Sequence, residues 1–372
     1  MLHTDILTAN EFIGLDAIRG DVCVSIYLPT TPVTRNTEGD RILFKNLSND
    51  AIEQLKSAET DKRKVALVET QLTELHEDQR YWAYLADGLA VFVTPKEMRT
   101  FRLPIAPNAE VQVSDRFHVK PLVPLLAFPG TCFVLALSQG ATRFIEVSSS
   151  LAQVVKVDGL PKNMSDAVKR KLPRDRAPAR RLQGGEGMKV LTRQYCRMID
   201  RALRPILSGL NTPLILATVK ELAAIYQAHN SYPYLMRTVI AGNPEKKTER
   251  KLAEEARAIA TRYGGKVVSE RLKLVRDGAN NDLSSTDLAQ IARAAVRGQV
   301  GTLLIDVKAS CPGTIDPGTG RIAIAKRSSA TTYDVLDELA GLTVRARGEV
   351  LPLKGKAMAN GSPVAAIFRY RS

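Results

Sequence analysis

At 372 residues with 44% hydrophobic content, the chain is long enough for two or three domains with their own cores, which sets it apart from disordered and fibrous proteins. A formal charge of +14 favours nucleic acid or an anionic membrane surface as partner, and 5% aromatic content disfavours a base-stacking platform for single strands. Cys23, Cys132, Cys196 and Cys311 lie far apart with no Cys-x-x-Cys pair, so reduced, buried thiols and a cytoplasmic location are expected. Asp5 and Glu11 stand where a signal peptide would be basic and then apolar, and Pro124, Pro129 and Gly130 break the most apolar region; no membrane partner is expected.

In chain order, Val22, Val24, Ile26 and Leu28 alternate with Cys23, Ser25 and Tyr27, predicting a strand with one well-buried face, ended by Pro29. Leu43, Leu47, Ala51 and Leu55 line one helix, and Val65, Val68, Leu72 and Leu75 a second; the turn between them carries Asp61, Lys62, Arg63 and Lys64. Asp87-Gly88 turns the chain into strands 89–93 and 98–103, Trp82 reads as core, and Pro129-Gly130 marks a domain junction. Strands follow at 132–137, 144–147 and 151–157. Beyond them Pro213 to Ala217 is a buried strand and Val219 to His229 a helix with Leu222, Ile225 and Tyr226 inward. Gly242-Asn243-Pro244 is the second junction. A charged helix from Lys247 is expected to stop at Gly264-Gly265. Ser284 and Asp287 resemble a capping box for a helix through Val296, followed by a strand 302–307, a strand 321–325, a helix 333–340 and closing strands 348–353 and 364–369. The fold class is α/β (α+β): three domains, each a mixed sheet with helices, at 1–129, 130–245 and 246–372, the last an α/β/α sandwich.

The most telling stretch is 169–201. Lys169, Arg170, Lys171, Arg174, Arg176, Arg180 and Arg181 form a basic run, Gly184-Gly185-Glu186-Gly187 reads as a flexible turn, and a helix follows with Met188, Leu191, Tyr195, Met198, Ala202 and Ile206 on its apolar face. Lys189, Arg193, Arg197 and Arg201 recur at i,i+4 spacing, where like charges repel by about 0.2–0.5 kcal/mol per pair. Only Asp200 lies within the helix to offset them, whereas a polyanion such as the phosphate wall of an RNA channel would. The sequence contains no phosphate-binding Gly-x-x-x-x-Gly-Lys loop, Gly-x-Ser-x-Gly elbow or His-Glu-x-x-His pair, so no cofactor and no metal are expected. His118 is the one histidine of interest, and is expected to be structural because no carboxylate sits at a productive spacing.

The order of these pieces resembles the archaeal and eukaryotic peptide-chain release factor and Pelota superfamily, in its bacterial release-factor-like branch. The resemblance rests on Ser25-Ile26-Tyr27-Leu28-Pro29, Gly88-Leu89-Ala90-Val91-Phe92, Arg116-Phe117-His118, Leu172-Pro173 with the basic run and Gly184-Gly185. It extends to Pro213-Leu214-Ile215-Leu216-Ala217, Ile240-Ala241-Gly242-Asn243-Pro244 and Ala365-Ala366-Ile367-Phe368-Arg369-Tyr370. It implies an elongated, tRNA-sized monomer in the ribosomal A site, with a first domain facing the decoding centre, a central tip at the peptidyl-transferase centre and a third domain folded like a kink-turn-binding protein. Two departures qualify it. Where release factors carry Gly-Gly-Gln, Glu186 stands in the Gln position, and an ionised Glu is acceptor-only. Where they carry Asn-Ile-Lys-Ser, this chain has Asp61-Lys62-Arg63-Lys64, which holds phosphates without a base code.

The implied function is a non-catalytic, ribosome-binding translation factor, similar to the Balon type of hibernation factor. Lys62, Arg63 and Lys64 and the 169–201 segment would contact 16S and 23S rRNA, and elongation factor Tu or another translational GTPase would be a partner. The alternatives are a rescue or release factor that hydrolyses peptidyl-tRNA through Glu186, and a non-ribosomal RNA-binding protein.

Overall fold

The computed structural model describes residues 4–5, 7–32, 37–171, 185–278, 281–325, 332–353 and 361–370. The chain forms two compact units: Thr131–Tyr263 is one, and His3–Gly130 with Gly264–Ser372 is the other.

In the second of these units, α1 (Ala9–Asp16) leads into β1 (Arg19–Pro29), α2 (Glu38–Ser57), α3 (Lys62–Glu77) and the short α4 (Gln79–Trp82). β2 (Gly88–Val93), β3 (Met98–Leu103), β4 (Glu110–Arg116) and a short α5 (Val123–Ala127) complete this part. The sheet order is β3-β2-β1-β4, antiparallel throughout. β1 is buried on both faces, not one. Val22, Val24, Ile26 and Leu28 pack against α2 and α3 with Trp82, whose indole donates to the Leu75 carbonyl at 2.8 Å. Cys23 and Tyr27 enter a second core with Phe12, Leu15, Phe92 and Phe117. β4, with alternating half-buried polar residues, carries too weak an apolar pattern to be read from sequence.

The second core continues into residues after 264. There β10 (Ser284–Ser285), α10 (Leu288–Val296), β11 (Val300–Asp306), β12 (Pro312–Ile315), β13 (Ile322–Ile324), β14 (Tyr333–Asp334), α11 (Val335–Arg345), β15 (Glu349–Leu353) and β16 (Val364–Phe368) follow in order. The main sheet, β10-β16-β11-β15, has α10 and α11 on the face carrying Leu303, Ile305, Val350 and Val364, and Val268, Leu272 and Val275 against Leu304, Leu351 and Ala365 on the other. These layers form an α/β/α sandwich. Asp287, not Ser284, caps α10, accepting from Gln290 N at 2.8 Å; Ser284 lies in β10 and donates to the Val275 carbonyl.

An ionic cluster ties the two parts of this unit together. Arg116 binds Glu338 at 2.5 Å, Arg345 binds Glu338 at 3.0 Å and also Asp16, and Lys120 binds Asp334. Gly341 makes room for Asp16, since a Cβ there would meet the carboxylate at 2.3 Å. His118 is buried, with Nδ1 3.6 Å from an Asp337 oxygen. Burial depresses its pKa, but the Asp337 carboxylate outweighs this and leaves it raised. The residue is structural, yet a carboxylate does face it, brought from the other end of the chain.

In the Thr131–Tyr263 unit, β5 (Cys132–Leu137), β6 (Thr142–Val147) and β7 (Ala152–Val154) form an antiparallel meander; α6 (Met164–Lys171), α7 (Gly185–Leu207), β8 (Leu214–Thr218), α8 (Lys220–His229) and β9 (Ile240–Ala241) follow. β8 joins β5 in parallel, giving the order β7-β6-β5-β8-β9. Phe133, Leu135 and Leu214 face α6, α7 and α8; Val134, Ile145 and Ile215 face Leu252, Ala253 and Ala256 at the start of α9 (Glu249–Gly278). α9 passes through Gly264-Gly265 instead of stopping there: at about 1 kcal/mol per glycine the penalty is outweighed by the apolar positions that resume at Val267 and Val268. All four cysteines are free; Cys23, Cys132 and Cys196 are buried and Cys311 only half-buried. Among the described residues no helix is long and apolar enough to cross a membrane, and no group of His, Cys, Asp or Glu is placed to hold a metal ion.

Candidate nucleic-acid interface

α7 is amphipathic, but its buried line is rotated from the one read in sequence. Tyr195, Cys196, Ile199, Leu203 and Leu207 are in the core; Leu191, Met198, Ala202 and Ile206 flank it, and Met188 is exposed. The true line includes Thr192 and Cys196, residue types that an aliphatic count passes over. Tyr195 fixes the helix to the sheet: its hydroxyl bonds the Thr142 hydroxyl and donates to the Ser138 carbonyl at 3.0 Å.

That anchoring presents Lys189, Arg193, Arg197 and Arg201 to solvent, all four exposed and without a salt bridge to another described residue. Asp200 does not offset them. It is buried, accepts from the Ser231 amide at 2.8 Å and the Ser231 hydroxyl at 2.9 Å, and pairs with Arg204 at 2.9 Å. Three successive like-charge pairs therefore stand along one helix face, a strain of about 1 kcal/mol that a line of phosphates would relieve.

The tip differs from the turn expected. The backbone of Gly185, Glu186 and Gly187 forms the first turn of α7, and Gly184 lies outside the described residues. Of the basic run, Lys169, Arg170 and Lys171 end α6, while Arg174, Arg176, Arg180 and Arg181 lie outside the described residues.

In the other unit, Lys62, Arg63 and Lys64 sit not in a turn but in the first turn of α3. Asp61 caps that helix, accepting from Arg63 N at 2.9 Å. Cations are disfavoured at the positive end of a helix, by about 0.3–1 kcal/mol each. Lys64 meets Asp21 at 2.5 Å and holds that carboxyl below its usual range, whereas Lys62 and Arg63 are exposed and unpaired among the described residues. Both clusters share one property: positive charge placed where the protein's own structure penalises it.

Residues 129–263 match the model of bacterial archaeo-eukaryotic release factor family 11. Among solved structures, an archaeal translation termination factor is 14% identical over 98% of this chain and 99% of its own, with a TM-score of 0.25. A ribosome-bound archaeal Pelota, in a model with ABCE1, is 14% identical over 98% of this chain and 94% of its own, with a TM-score of 0.43. The translation termination-like factor Dom34 of S. cerevisiae is 12% identical over 77% of this chain and 74% of its own, with a TM-score of 0.40. No curated protein matches the sequence.

Proposed function

We propose, from the match of residues 129–263 to a bacterial archaeo-eukaryotic release factor family, that this chain is a translation factor that binds the ribosome without releasing the nascent peptide. The observation that carries the proposal is the stripe Lys189, Arg193, Arg197 and Arg201 within that segment, without a salt bridge to another described residue. A folded, anchored helix that keeps in register four cations unpaired among the described residues is suited to an RNA backbone, and the exposed pair Lys62 and Arg63 supplies a second phosphate contact, at the decoding end in this reading. The central segment enters toward the peptidyl-transferase centre, with the 184–187 stretch leading. The division into domains 1–129, 130–245 and 246–372, occupancy of the A site, a hibernation role under stress and delivery by elongation factor Tu or another translational GTPase belong to the same proposal.

Glu186 supports the non-hydrolytic half. A Gln amide both donates and accepts, whereas an ionised carboxylate only accepts and repels the oxyanion that forms when an ester is attacked. The second reading, peptidyl-tRNA hydrolysis, is favoured by the match to a family described as release factors. Two assays separate the readings. Cosedimentation with ribosomes is expected for the wild-type chain, and its absence overturns the proposal. In a termination assay with a labelled peptidyl-tRNA, no release above background is expected; release that vanishes on Glu186→Ala would establish the hydrolytic reading.

A further inference from the structure

Within the Thr131–Tyr263 unit, the loop 230–236 follows α8 and is tied to the C-terminal end of α7 at two places. Ser231 donates to Asp200 from its amide at 2.8 Å and from its hydroxyl at 2.9 Å, and Asp200 immediately precedes Arg201, the last cation of the stripe. The buried Tyr232 donates from its hydroxyl to the Thr212 carbonyl at 2.6 Å, with the Leu210 carbonyl, just past the end of α7, 3.3 Å away. Tyr234 is the side chain this loop leaves outside. It is 47% exposed, and its ring centroid lies 5.6 Å from that of Tyr232. Its backbone is held on both sides: Leu214 N donates to the Tyr234 carbonyl at 3.0 Å and Met236 N to the Leu214 carbonyl at 2.8 Å. Before it, Asn230 Nδ2 donates to the Tyr232 carbonyl at 2.6 Å and Pro233 fixes its own φ. A ring on so ordered a backbone loses little conformational freedom when a flat partner covers it.

A single exposed aromatic marks nothing by itself. The charge around this one selects the partner. From Arg201 to Asn243 the sequence holds one acid, Glu221, and that residue stands in the first turn of α8, at the opposite end of the helix from the loop. Asp200 is buried and engaged by Ser231 and Arg204, while Arg201, Arg204 and Arg237 are exposed. A partner that offers a flat π face and negative charge together is a nucleotide, whose base covers the ring while its phosphates meet the arginines. An acidic peptide brings the charge without the ring, and an apolar peptide gains nothing from the cations.

We infer that Tyr234 stacks on one unpaired base of the RNA held by the α7 stripe. The inference rests on the ribosome-binding reading and narrows it: the stripe meets RNA at a loop, bulge or end, because a base inside a duplex shows no face to a side chain. One ring serves one base, in keeping with an aromatic content too low for a platform that tracks a longer strand.

The test uses the full chain and two RNA probes, a hairpin carrying 2-aminopurine in its loop and a fully paired duplex of the same stem; stacking tolerates any sequence, so an arbitrary loop serves. Affinity is measured across salt, together with 2-aminopurine fluorescence, which stacking quenches. The wild type is expected to prefer the hairpin and to quench its fluorescence. Tyr234→Leu, which keeps an apolar contact for Tyr232, should lower hairpin affinity about tenfold and abolish the quenching, with duplex affinity and melting temperature unchanged. Its salt slope should also hold, since no phosphate contact is lost. Tyr234→Phe and Tyr234→Trp should bind and quench as the wild type does. Hairpin affinity and quenching untouched by Tyr234→Leu overturn the inference; if Arg193→Glu with Arg197→Glu still weakens binding, the stripe stands without the base contact. Equal losses for hairpin and duplex, or a wild-type chain that binds neither probe, overturn it as well, whereas the ribosome-binding reading itself falls only if cosedimentation is absent.

Discussion

Reversing Arg193 and Arg197 to Glu should make the protein more stable and a weaker ribosome ligand at once. Both side chains are exposed on α7, away from the buried line Tyr195, Ile199, Leu203 and Leu207, so the substitutions leave the core intact. In the wild type, the pairs 189/193, 193/197 and 197/201 are all repulsive. In the variant the first and last become attractive and only 193/197 remains like-charged. At about 0.3 kcal/mol per pair, two pairs change sign for a gain of at most about 1 kcal/mol, worth a melting temperature about 2 °C higher. Binding moves the other way. Each lost phosphate contact removes about 0.7–0.9 from the log-log salt slope, so two remove about 1.4–1.8; between about 50 and 200 mM salt the advantage of the wild type should shrink roughly tenfold. Cosedimentation with ribosomes over a salt series, beside a thermal melt of the same preparations, reads both quantities. Unchanged affinity at low salt, or a variant that melts well below the wild type, would refute the assignment of this face to RNA.

Three further outcomes follow from the packing. Burial raises the Asp16 pKa to about 6 against the pull of Arg345, so the folded state holds this proton more tightly than the unfolded chain does; acidification from pH 7 to 5 should therefore stabilise the fold, by about 1.4 kcal/mol, and Asp16→Asn should flatten the dependence of melting temperature on pH between about 4 and 6. The raised His118 acts in the same direction at higher pH: its contribution is complete below about 6.5 and is lost as pH climbs through its folded value, so His118→Gln should reduce the loss of stability on the alkaline side. Tyr195→Phe leaves the Ser138 carbonyl and Thr142 hydroxyl without this partner and should cost about 1–3 kcal/mol in a denaturant melt, with ribosome binding falling only as far as α7 loosens.

Local pattern carried much of this molecule. Alternation marked β1, the 3–4 spacing marked α2 and α3, and the i,i+4 cations of α7 needed nothing beyond the sequence to be recognised as a stripe. The failures share a cause, which is that the deciding partner lies far off in the chain. β1 could not be seen as two-sided because Cys23 and Tyr27 belong to a core that α11 residues such as Leu336 and Leu339 complete. Asp337 lies more than two hundred residues from His118. The sequence-read role of Asp200 failed because Ser231, which engages it, sits two elements later, and the rotation of α7 followed from the Thr192 and Cys196 that complete its buried face.

β1 has a consequence for how its unit comes apart. A strand that is a wall for two apolar interiors cannot lose one of them and keep the other, because its even and odd positions release together when its backbone bonds break. The helical hairpin at the front and the sandwich that closes the chain are thereby bound to a common melting event, and the amides of Val24, Ile26 and Leu28 should be the last in this unit to exchange with deuterium.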